Sequence, residues 1–414
     1  MSVNSKGNVL ILSTYPIAEP RHGGQLRVLN MKRAYESAGW AVVPIAIYPD
    51  ESYSVSQVGP HDIPFPVSSP YRLFAGQRIP LIDDLQSGNF ASAPDGGFNR
   101  VLAVAPESID VIQVEHPWLW PLAIKLRQHP KFSSSLLVYS SHNIEAPLKA
   151  EILKAYTGSS INHVVDAITT LEKRATREAD LVLAVTDQEA EIMRDWGGEL
   201  IVVAPNGIEP WTVKEEISLP WKERLPKAPW LLYVASAHPP NFTHFGEIFA
   251  GSLACFSPTS RLVVAGAVSE HLYRTISATR WNSLNFSRIQ LLFELSDMDL
   301  SAVKSLAHGF LLPIPFGGGS NIKTAEAIYS GKYVVGTSAA FRGYEAYIDL
   351  PEIRIGRDAA GLHAAIRDVT AASPASVAPN SVGWNRRQHL RWSKSLEPVP
   401  DTISKLCHKR LARG

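Results

Sequence analysis

Short apolar runs recur along the chain, and stretches with helical spacing separate them. The first run, Val9–Leu12, is typical of a buried strand. After a loop rich in proline and glycine, apolar side chains fall on one face of a predicted helix: Val28, Met31, Tyr35 and Ala38. Gly39 fits the end of this helix, and residues 41–48 predict a second strand. This order of strand, helix and strand favours a parallel sheet.

The same alternation continues to about residue 210 and, after a break, resumes at Trp230. Residues 50–100 are rich in proline, serine and glycine and show no clear period, whereas a long helix is predicted near 160–178. Residues 211–229 hold three prolines among charged residues and indicate a linker. Beyond it, apolar runs predict a second set of strands: 230–236, 261–268, 289–295, 309–315 and 332–338. The chain therefore predicts two doubly wound α/β halves, and a cleft between such halves is a natural ligand site.

Length and composition agree with two globular domains. The chain has 414 residues, 45% of them apolar and 19% charged, and its formal net charge of +1 argues against a nucleic-acid binder. Cys255 and Cys407 give neither a disulfide framework nor a metal spacing, which favours a reducing, cytoplasmic setting. The N-terminal apolar run is too short for a signal peptide, and no run approaches the roughly 20 apolar residues of a membrane span.

A glycine-rich stretch at 316–331 differs from the other strand–helix connections. Its glycines let backbone amides approach a ligand, and the amino end of the following helix attracts anions. Lys323 adds a positive charge there, and Glu326, about one turn further on, suits the vicinal hydroxyls of a ribose. The same residues also fit a flexible loop, a helix cap and a surface ion pair. The candidate ligand-binding residues are Gly318, Gly319, Ser320, Asn321, Lys323 and Glu326.

Five stretches of the chain resemble motifs of GT-B glycosyltransferases, in particular those of family 4. The glycine-rich stretch resembles their nucleotide-sugar signature. Four others resemble the first strand with its glycine loop, the strand that ends in a cleft histidine, the end of the N-terminal domain and the first C-terminal strand: residues 13–30, 138–145, 178–210 and 230–241. The resemblance covers most of the chain and is specific for the fold and for the use of a nucleotide sugar.

This resemblance implies two Rossmann-like, doubly wound domains that face each other across a cleft. They are expected at residues 1–210 and 211–383, with helices at 384–414 that cross back so that Trp384 and Trp392 pack against the N-terminal domain. The implied reaction moves a sugar from a nucleotide-diphosphate sugar to an acceptor hydroxyl, preferably with retention, without a divalent metal and without a cofactor. Synthesis of a polysaccharide or glycoconjugate is the expected setting.

Two departures from the family pattern affect the donor site. The family has two glutamates separated by seven residues; Glu326 matches the second, but Gly318 stands in place of the first. The family also carries an arginine and a lysine in the loop after the first C-terminal strand, where this chain has Ser236 and a residue near Asn241. We therefore expect Lys323 to supply much of the missing positive charge.

The candidate catalytic residues come from both halves. Lys323 is expected to stabilise the leaving diphosphate. By resemblance, His142 lies against the transferred sugar; the alternative is a structural histidine at a strand end. Glu115 and His116 end a predicted strand and suit an acceptor-binding or basic role, but a capping carboxylate beside a structural histidine fits equally well. In retaining enzymes of this family the leaving phosphate is thought to take the acceptor proton.

Two loops add further candidates, and for Gly23 and Gly24 a plain turn is the alternative. Donor-side candidates are Gly23, Gly24, Ser236, His238 and Asn241, and acceptor-side candidates are Thr14, Tyr15 and Arg21.

Two other patterns fit structural roles better. Asp297 and Asp299 match the Asp-x-Asp motif of metal-dependent transferases of a different fold, but Ser296 and Asp299 have capping-box spacing and predict a helix start. The apolar and basic residues 118–132 could touch a membrane that carries a lipid-linked acceptor, yet they are more typical of a core-packed helix with a solvated basic edge.

Two rival functions share the expected scaffold. One is a sugar-nucleotide epimerase, and the other is a non-catalytic nucleotide-binding protein, which the missing first glutamate makes conceivable. An NAD-dependent dehydrogenase is disfavoured because the loop after the first strand lacks Gly-x-Gly-x-x-Gly. The expected partners are a nucleotide sugar and a carbohydrate or glycoconjugate acceptor, in the cytoplasm or at the inner face of the membrane, with no nucleic acid.

Overall fold

The chain folds into two compact units, Met1–Asn206 with Ser395–Gly414, and Gly207–Lys394. A computed structural model describes residues 5–157, 161–237, 239–314 and 319–411. The boundaries fall at 206 and 394, whereas 210 and 383 were expected. Trp384 and Trp392 thus belong to the C-terminal unit, and only the residues after Lys394 group with the N-terminal unit.

The described part of the N-terminal unit contains a seven-stranded parallel sheet. Its strands are β1 (Asn8–Ser13), β2 (Ala41–Pro49), β3 (Ile63–Phe65), β4 (Val111–Glu115), β5 (Leu136–Ser140), β6 (Leu181–Ala184) and β7 (Ile201–Val203). Its helices before the boundary are α1 (Gly23–Ser37), α2 (Asp83–Ser92), α3 (Phe98–Val104), α4 (Trp120–Gln128), α5 (Glu145–Thr157), α6 (Asn162–Glu178) and α7 (Asp187–Asp195). The strand order β3-β2-β1-β4-β5-β6-β7 makes β1 and β4 neighbours, so the chain changes direction across the sheet at that pair.

The C-terminal unit repeats this design with six parallel strands among its described residues. They are β8 (Trp230–Val234), β9 (Arg261–Ala265), β10 (Ile289–Leu291), β11 (Gly309–Leu312), β12 (Tyr333–Thr337) and β13 (Ile353–Gly356), in the order β10-β9-β8-β11-β12-β13. The helices are α8 (Glu215–Arg224), α9 (Pro239–Phe249), α10 (Val268–Ser277), α11 (Asn282–Phe286), α12 (Asp297–Leu306), α13 (Ile322–Tyr329), α14 (Ala359–Ala371), α15 (Val382–Gln388) and α16 (Trp392–Ser395). Here β8 and β11 are the neighbours at which the direction changes.

Both faces of the C-terminal sheet are covered, as the continuous apolar strands require. In β11, Phe310 and Leu312 pack in one hydrophobic core, and Leu311 packs in the other. The last helix, α17 (Pro398–Leu411), belongs to the N-terminal unit and contacts α1 within it. Arg410 Nη1 on α17 also donates a hydrogen bond to the Ser135 carbonyl at 3.2 Å.

Two sequence predictions were wrong or incomplete at the level of elements. The predicted linker at 211–229 contains α8, with Pro220 inside it. Trp221 of α8 is buried in the C-terminal core, and its Nε1 donates to Asp299 Oδ1 at 2.7 Å, so packing outweighs the proline. The aperiodic region 50–100 contains β3, α2 and α3.

No helix within the described residues is both long and apolar enough to cross a membrane. The stretch 118–132 forms α4 and its flanks, and Trp118 and Trp120 are buried. The prediction of a core-packed helix is confirmed there, and the stretch offers no large apolar surface to a membrane.

Candidate functional site

A cluster of polar side chains lies at the carboxyl ends of β1, β4 and β5 in the N-terminal unit. Glu115 is the last residue of β4, His116 follows it, and His142 comes two residues after β5. Tyr15 follows β1. His116 has φ +63°, a left-handed conformation that is uncommon outside glycine and that redirects its side chain at the strand end.

Hydrogen bonds join this cluster into a continuous chain. His142 Nε2 lies 2.6 Å from Glu115 Oε2, and His142 Nδ1 lies 3.3 Å from Tyr15 Oη. Tyr15 Oη is also 3.0 Å from His116 Nε2, while His116 Nδ1 is 2.7 Å from Glu145 Oε1. The two imidazole rings lie 3.8 Å apart between centroids. The structure therefore brings together four predicted residues of this unit and adds Glu145.

Burial and neighbouring groups determine the protonation states of His142 and Glu115. Burial and the nearby His116 lower the pKa of His142 to about 3, so this imidazole is neutral near pH 7. Burial acts to raise the pKa of Glu115, but the hydrogen bonds from His142 and Gln113 and the charge of Arg27 bring it below its ordinary value. An ionised Glu115 only accepts hydrogen bonds, so His142 Nε2 carries the proton and donates it to Glu115.

A second layer of carboxyl groups lies behind His116. Burial acts to raise the pKa of Glu145, but the charge of His116 and its hydrogen bond lower it below the ordinary value. Glu172 accepts hydrogen bonds from the backbone amides of Glu145 at 2.6 Å and Ala146 at 2.9 Å, which caps the amino end of α5. Burial raises the pKa of Glu172 to about 8.

The first glycine loop differs in detail from the prediction. Gly23 and Gly24 are the first residues of α1 rather than loop residues, and His22 is the N-cap. A Cβ on Gly24 would lie 2.5 Å from Tyr15 Oη, so this glycine leaves room for the tyrosine of the cluster. Among the acceptor-side candidates, Thr14 is buried and Arg21 is exposed.

The predicted donor residues of the C-terminal unit follow β8 and β11, the two strands at its change of direction. After β8, Asn241 Nδ2 donates to the Ser236 carbonyl at 3.0 Å, and Tyr233 Oη donates to the Asn241 carbonyl at 2.8 Å. These bonds define the shape of the loop. His238 and Gly318, two further candidates, lie outside the described residues.

The connection after β11 leads into the amino end of α13. Asn321 is the N-cap, and its side-chain oxygen accepts a hydrogen bond from the Lys323 amide at 2.9 Å. Gly319 has φ +60°, and its carbonyl accepts a hydrogen bond from Arg342 Nε at 2.8 Å. Ser320 is buried beside them. The turn therefore ends in a capped helix amino terminus, and Lys323 lies in the first turn of that helix.

Lys323 and Glu326 have different surroundings. Burial lowers the pKa of Lys323, with Lys304 acting in the same direction and Glu326 opposing it. Within the described residues, the Lys323 ammonium forms no hydrogen bond or ion pair. Glu326 instead accepts hydrogen bonds from Lys304 on both carboxylate oxygens, each at 2.8 Å. A cation without a close partner can attract an anion.

Three residues of these sites were not predicted from the sequence: Lys304, Arg342 and Glu145. Lys304 and Glu326 are 22 residues apart on different helices, and Arg342 meets Gly319 across 23 residues. No local spacing predicts such contacts. For Glu145 the signal was present, since it lies in the stretch 138–145 that resembles a family motif.

The Asp-x-Asp pattern is a helix start, as predicted. The Ser296 hydroxyl accepts a hydrogen bond from the Asp299 amide at 3.1 Å and caps α12. Asp299 Oδ1 also holds Trp221. In the described ranges, no group of three or more histidine, cysteine, aspartate or glutamate residues is arranged to hold a metal ion.

A cavity of about 340 Å³ opens at the carboxyl edge of the C-terminal sheet. It is lined by residues that follow β11, β12 and β13, among them Ile314, Ser338 and Arg357. Such a cavity falls in the size range of small-ligand sites.

The fold and a domain match together define the class. Two doubly wound parallel sheets in one chain form the GT-B fold, which many glycosyltransferases have. Residues 22–207, most of the N-terminal unit, match the model of the Glycosyl transferase 4-like domain, so this unit is similar to that family. The predicted fold class is confirmed, and the domain match agrees with the predicted family. No curated protein sequence is significantly similar to the chain.

Several solved structures share the fold over nearly the whole chain. Sucrose-phosphate synthase from Thermosynechococcus elongatus has a TM-score of 0.71 at 16% identity, with 99% of this chain and 100% of that chain covered. HepE from Anabaena, in complex with UDP and glucose, has a TM-score of 0.58 at 14% identity, with 99% and 100% covered. The catalytic domain of starch synthase IV from Arabidopsis thaliana, bound to ADP and acarbose, has a TM-score of 0.62 at 12% identity and the same coverage.

Proposed function

We propose that the protein transfers a sugar from a nucleotide-diphosphate sugar to an acceptor hydroxyl, preferably with retention. One observation carries this proposal: the described donor candidates of the C-terminal unit follow β8 and β11, where the sheet changes direction. Open parallel sheets bind ligands at this position. The UDP and ADP complexes of the similar structures agree with a nucleotide donor.

In the proposed donor site, the amino end of α13 and Lys323 bind the diphosphate, and Glu326 accepts hydrogen bonds from the ribose. As the bond between the anomeric carbon and the diphosphate breaks, the leaving oxygen gains negative charge. Lys323 and the amides at the start of α13 stabilise that charge. These groups act where other transferases use a divalent metal, and no cofactor is needed.

In the proposed acceptor half, His142 and Glu115 support the transferred sugar, and His116 with Tyr15 binds the acceptor hydroxyl. A histidine with a pKa of about 3 is a poor base near pH 7. The acceptor proton therefore passes to the leaving phosphate while the acceptor oxygen bonds to the anomeric carbon. The acceptor is a carbohydrate or glycoconjugate, in polysaccharide or glycoconjugate synthesis at a cytoplasmic or inner-membrane location.

The test measures nucleoside diphosphate release and the identity of the sugar from UDP-, ADP- and GDP-hexoses, with and without an oligosaccharide acceptor mixture. A transferase releases the diphosphate in step with acceptor glycosylation. Sugar epimerisation without acceptor, or binding without turnover of any donor, contradicts the proposal and supports one of the two rivals.

The variant Lys323→Met should lower turnover about tenfold to a hundredfold, as expected for the loss of a charged hydrogen bond. Lys332→Met is the matched control, because Lys332 is another half-buried lysine of the same unit and its pKa is also lowered by burial. It lies at the amino end of β12, away from the donor candidates, and should leave turnover unchanged.

A further inference from the structure

Glu326 forms an ion pair with Lys304, a largely buried lysine. Lys304 Nζ donates to both Glu326 oxygens at 2.8 Å, which joins α12 to α13. The Lys304 side chain is 11% exposed and that of Glu326 is 25% exposed. The Glu326 carboxylate is thus partly exposed, whereas Lys304 is largely covered.

Aromatic rings fix the direction of this lysine. Lys304 Nζ lies 5.4 Å from the centre of the Trp211 ring, within the range of a cation–π contact. Trp211 in turn packs edge-on against Tyr329, with ring centroids 6.3 Å apart. Tyr329 is on α13, one turn beyond Glu326, so the same helix carries the carboxylate and supports the group that orients it.

The pairing has two physical consequences for a nucleotide. A carboxylate has about four lone-pair positions, and two bonds from one ammonium leave positions free for two vicinal hydroxyls. The charge of Lys304 also offsets that of Glu326, which reduces the repulsion between this carboxylate and a nearby diphosphate. This charge compensation is important in this chain. In the loop after β8, Ser236 and a residue near Asn241 stand where the family carries an arginine and a lysine.

We propose that Lys304 is a positioning residue for the donor: it aligns Glu326 to accept hydrogen bonds from the ribose 2′- and 3′-hydroxyls and so gives the site its preference for ribonucleotides. This inference rests on the proposed function, because it assumes that Glu326 binds the ribose. When the ligand lacks the 2′-hydroxyl, one lone pair of the desolvated Glu326 carboxylate has no hydrogen-bond donor. The ligand therefore binds more weakly.

The test uses calorimetry with UDP, ADP and GDP and the 2′-deoxy form of whichever binds the native protein most tightly. The native protein should bind the ribonucleotide about tenfold more tightly than the deoxy form. Lys304→Met should bind the ribonucleotide more weakly and lose most of this preference, whereas Lys304→Arg should retain it. In the Glu326→Gln background, Lys304→Met should change binding no further.

The outcomes separate the two proposals. A folded Lys304→Met protein that keeps the native preference overturns the positioning role alone. A native protein that binds none of the three diphosphates overturns the proposed function and the positioning role together. If Lys304→Met does not fold, the Lys304→Met/Glu326→Gln double variant removes the uncompensated charge, and a native preference in that protein overturns the inference.

Discussion

At the scale of single residues, the N-terminal cluster depends on close packing around Tyr15. Its hydroxyl contacts both His116 and His142, and these contacts require that the phenol ring lies against the first turn of α1. Gly24 permits this because it has no Cβ. The sequence predicted that Gly24 frees space, but for a ligand rather than for a side chain of the protein.

The variant Gly24→Ala should therefore displace Tyr15. Alanine favours a helix, but its Cβ would lie 2.5 Å from Tyr15 Oη, and such overpacking costs about 1–3 kcal/mol. The free energy of unfolding in urea measures this loss. Tyr15→Phe removes the hydroxyl, so Gly24→Ala should cost less in a Tyr15→Phe background. Equal costs in both backgrounds would show that the contact with Tyr15 is not the cause.

At the scale of elements, Glu172 of α6 makes the stability of the start of α5 depend on pH. Its folded-state pKa of about 8 lies above the ordinary value of 4.5, so its contribution to stability is complete below pH 4.5 and is lost as the pH rises to 8. His142 acts in the opposite direction, but only between about pH 3 and 6.5. The window from pH 6.5 to 8 therefore separates the contribution of Glu172 from that of His142.

In that window the native protein should lose about 2 kcal/mol of unfolding free energy, measured by urea denaturation at pH 6.5 and pH 8. Glu172→Gln should remove most of this loss, although it also weakens the cap of α5. Glu191→Gln is the control, since Glu191 is an exposed acid of the same unit. An unchanged pH dependence in Glu172→Gln would contradict the assignment.

The elements that sequence reasoning predicted well are those with a local cause. The strand β1, the end of α1 at Gly39 with φ +88° and the start of α12 at Ser296 all follow from apolar runs or caps. Helix α8 was missed because Pro220 suggests a break, while the burial of Trp221 that outweighs it is a tertiary effect. The ion pair of Lys304 with Glu326 was missed for the same reason.

At the scale of the whole molecule, the two units repeat one topological plan. In each, the chain starts at a central strand, adds two strands outward on one side and then returns to the other side, which makes β1 and β4, or β8 and β11, neighbours. The candidate residues that the structure describes follow these central strands or their immediate neighbour. Sequence reasoning predicted this placement because apolar runs locate strand ends, but it could not predict the partners of each side chain there.

The central claim is that the amino end of α13, with Lys323 and Glu326, binds a nucleotide-diphosphate sugar. A thermal-shift panel of nucleotide sugars, applied to the native protein, Lys323→Ala and Glu326→Ala, tests it most directly. We expect at least one donor to raise the melting temperature of the native protein and to have little effect on either variant. Undiminished stabilisation of both variants by that donor would contradict the claim.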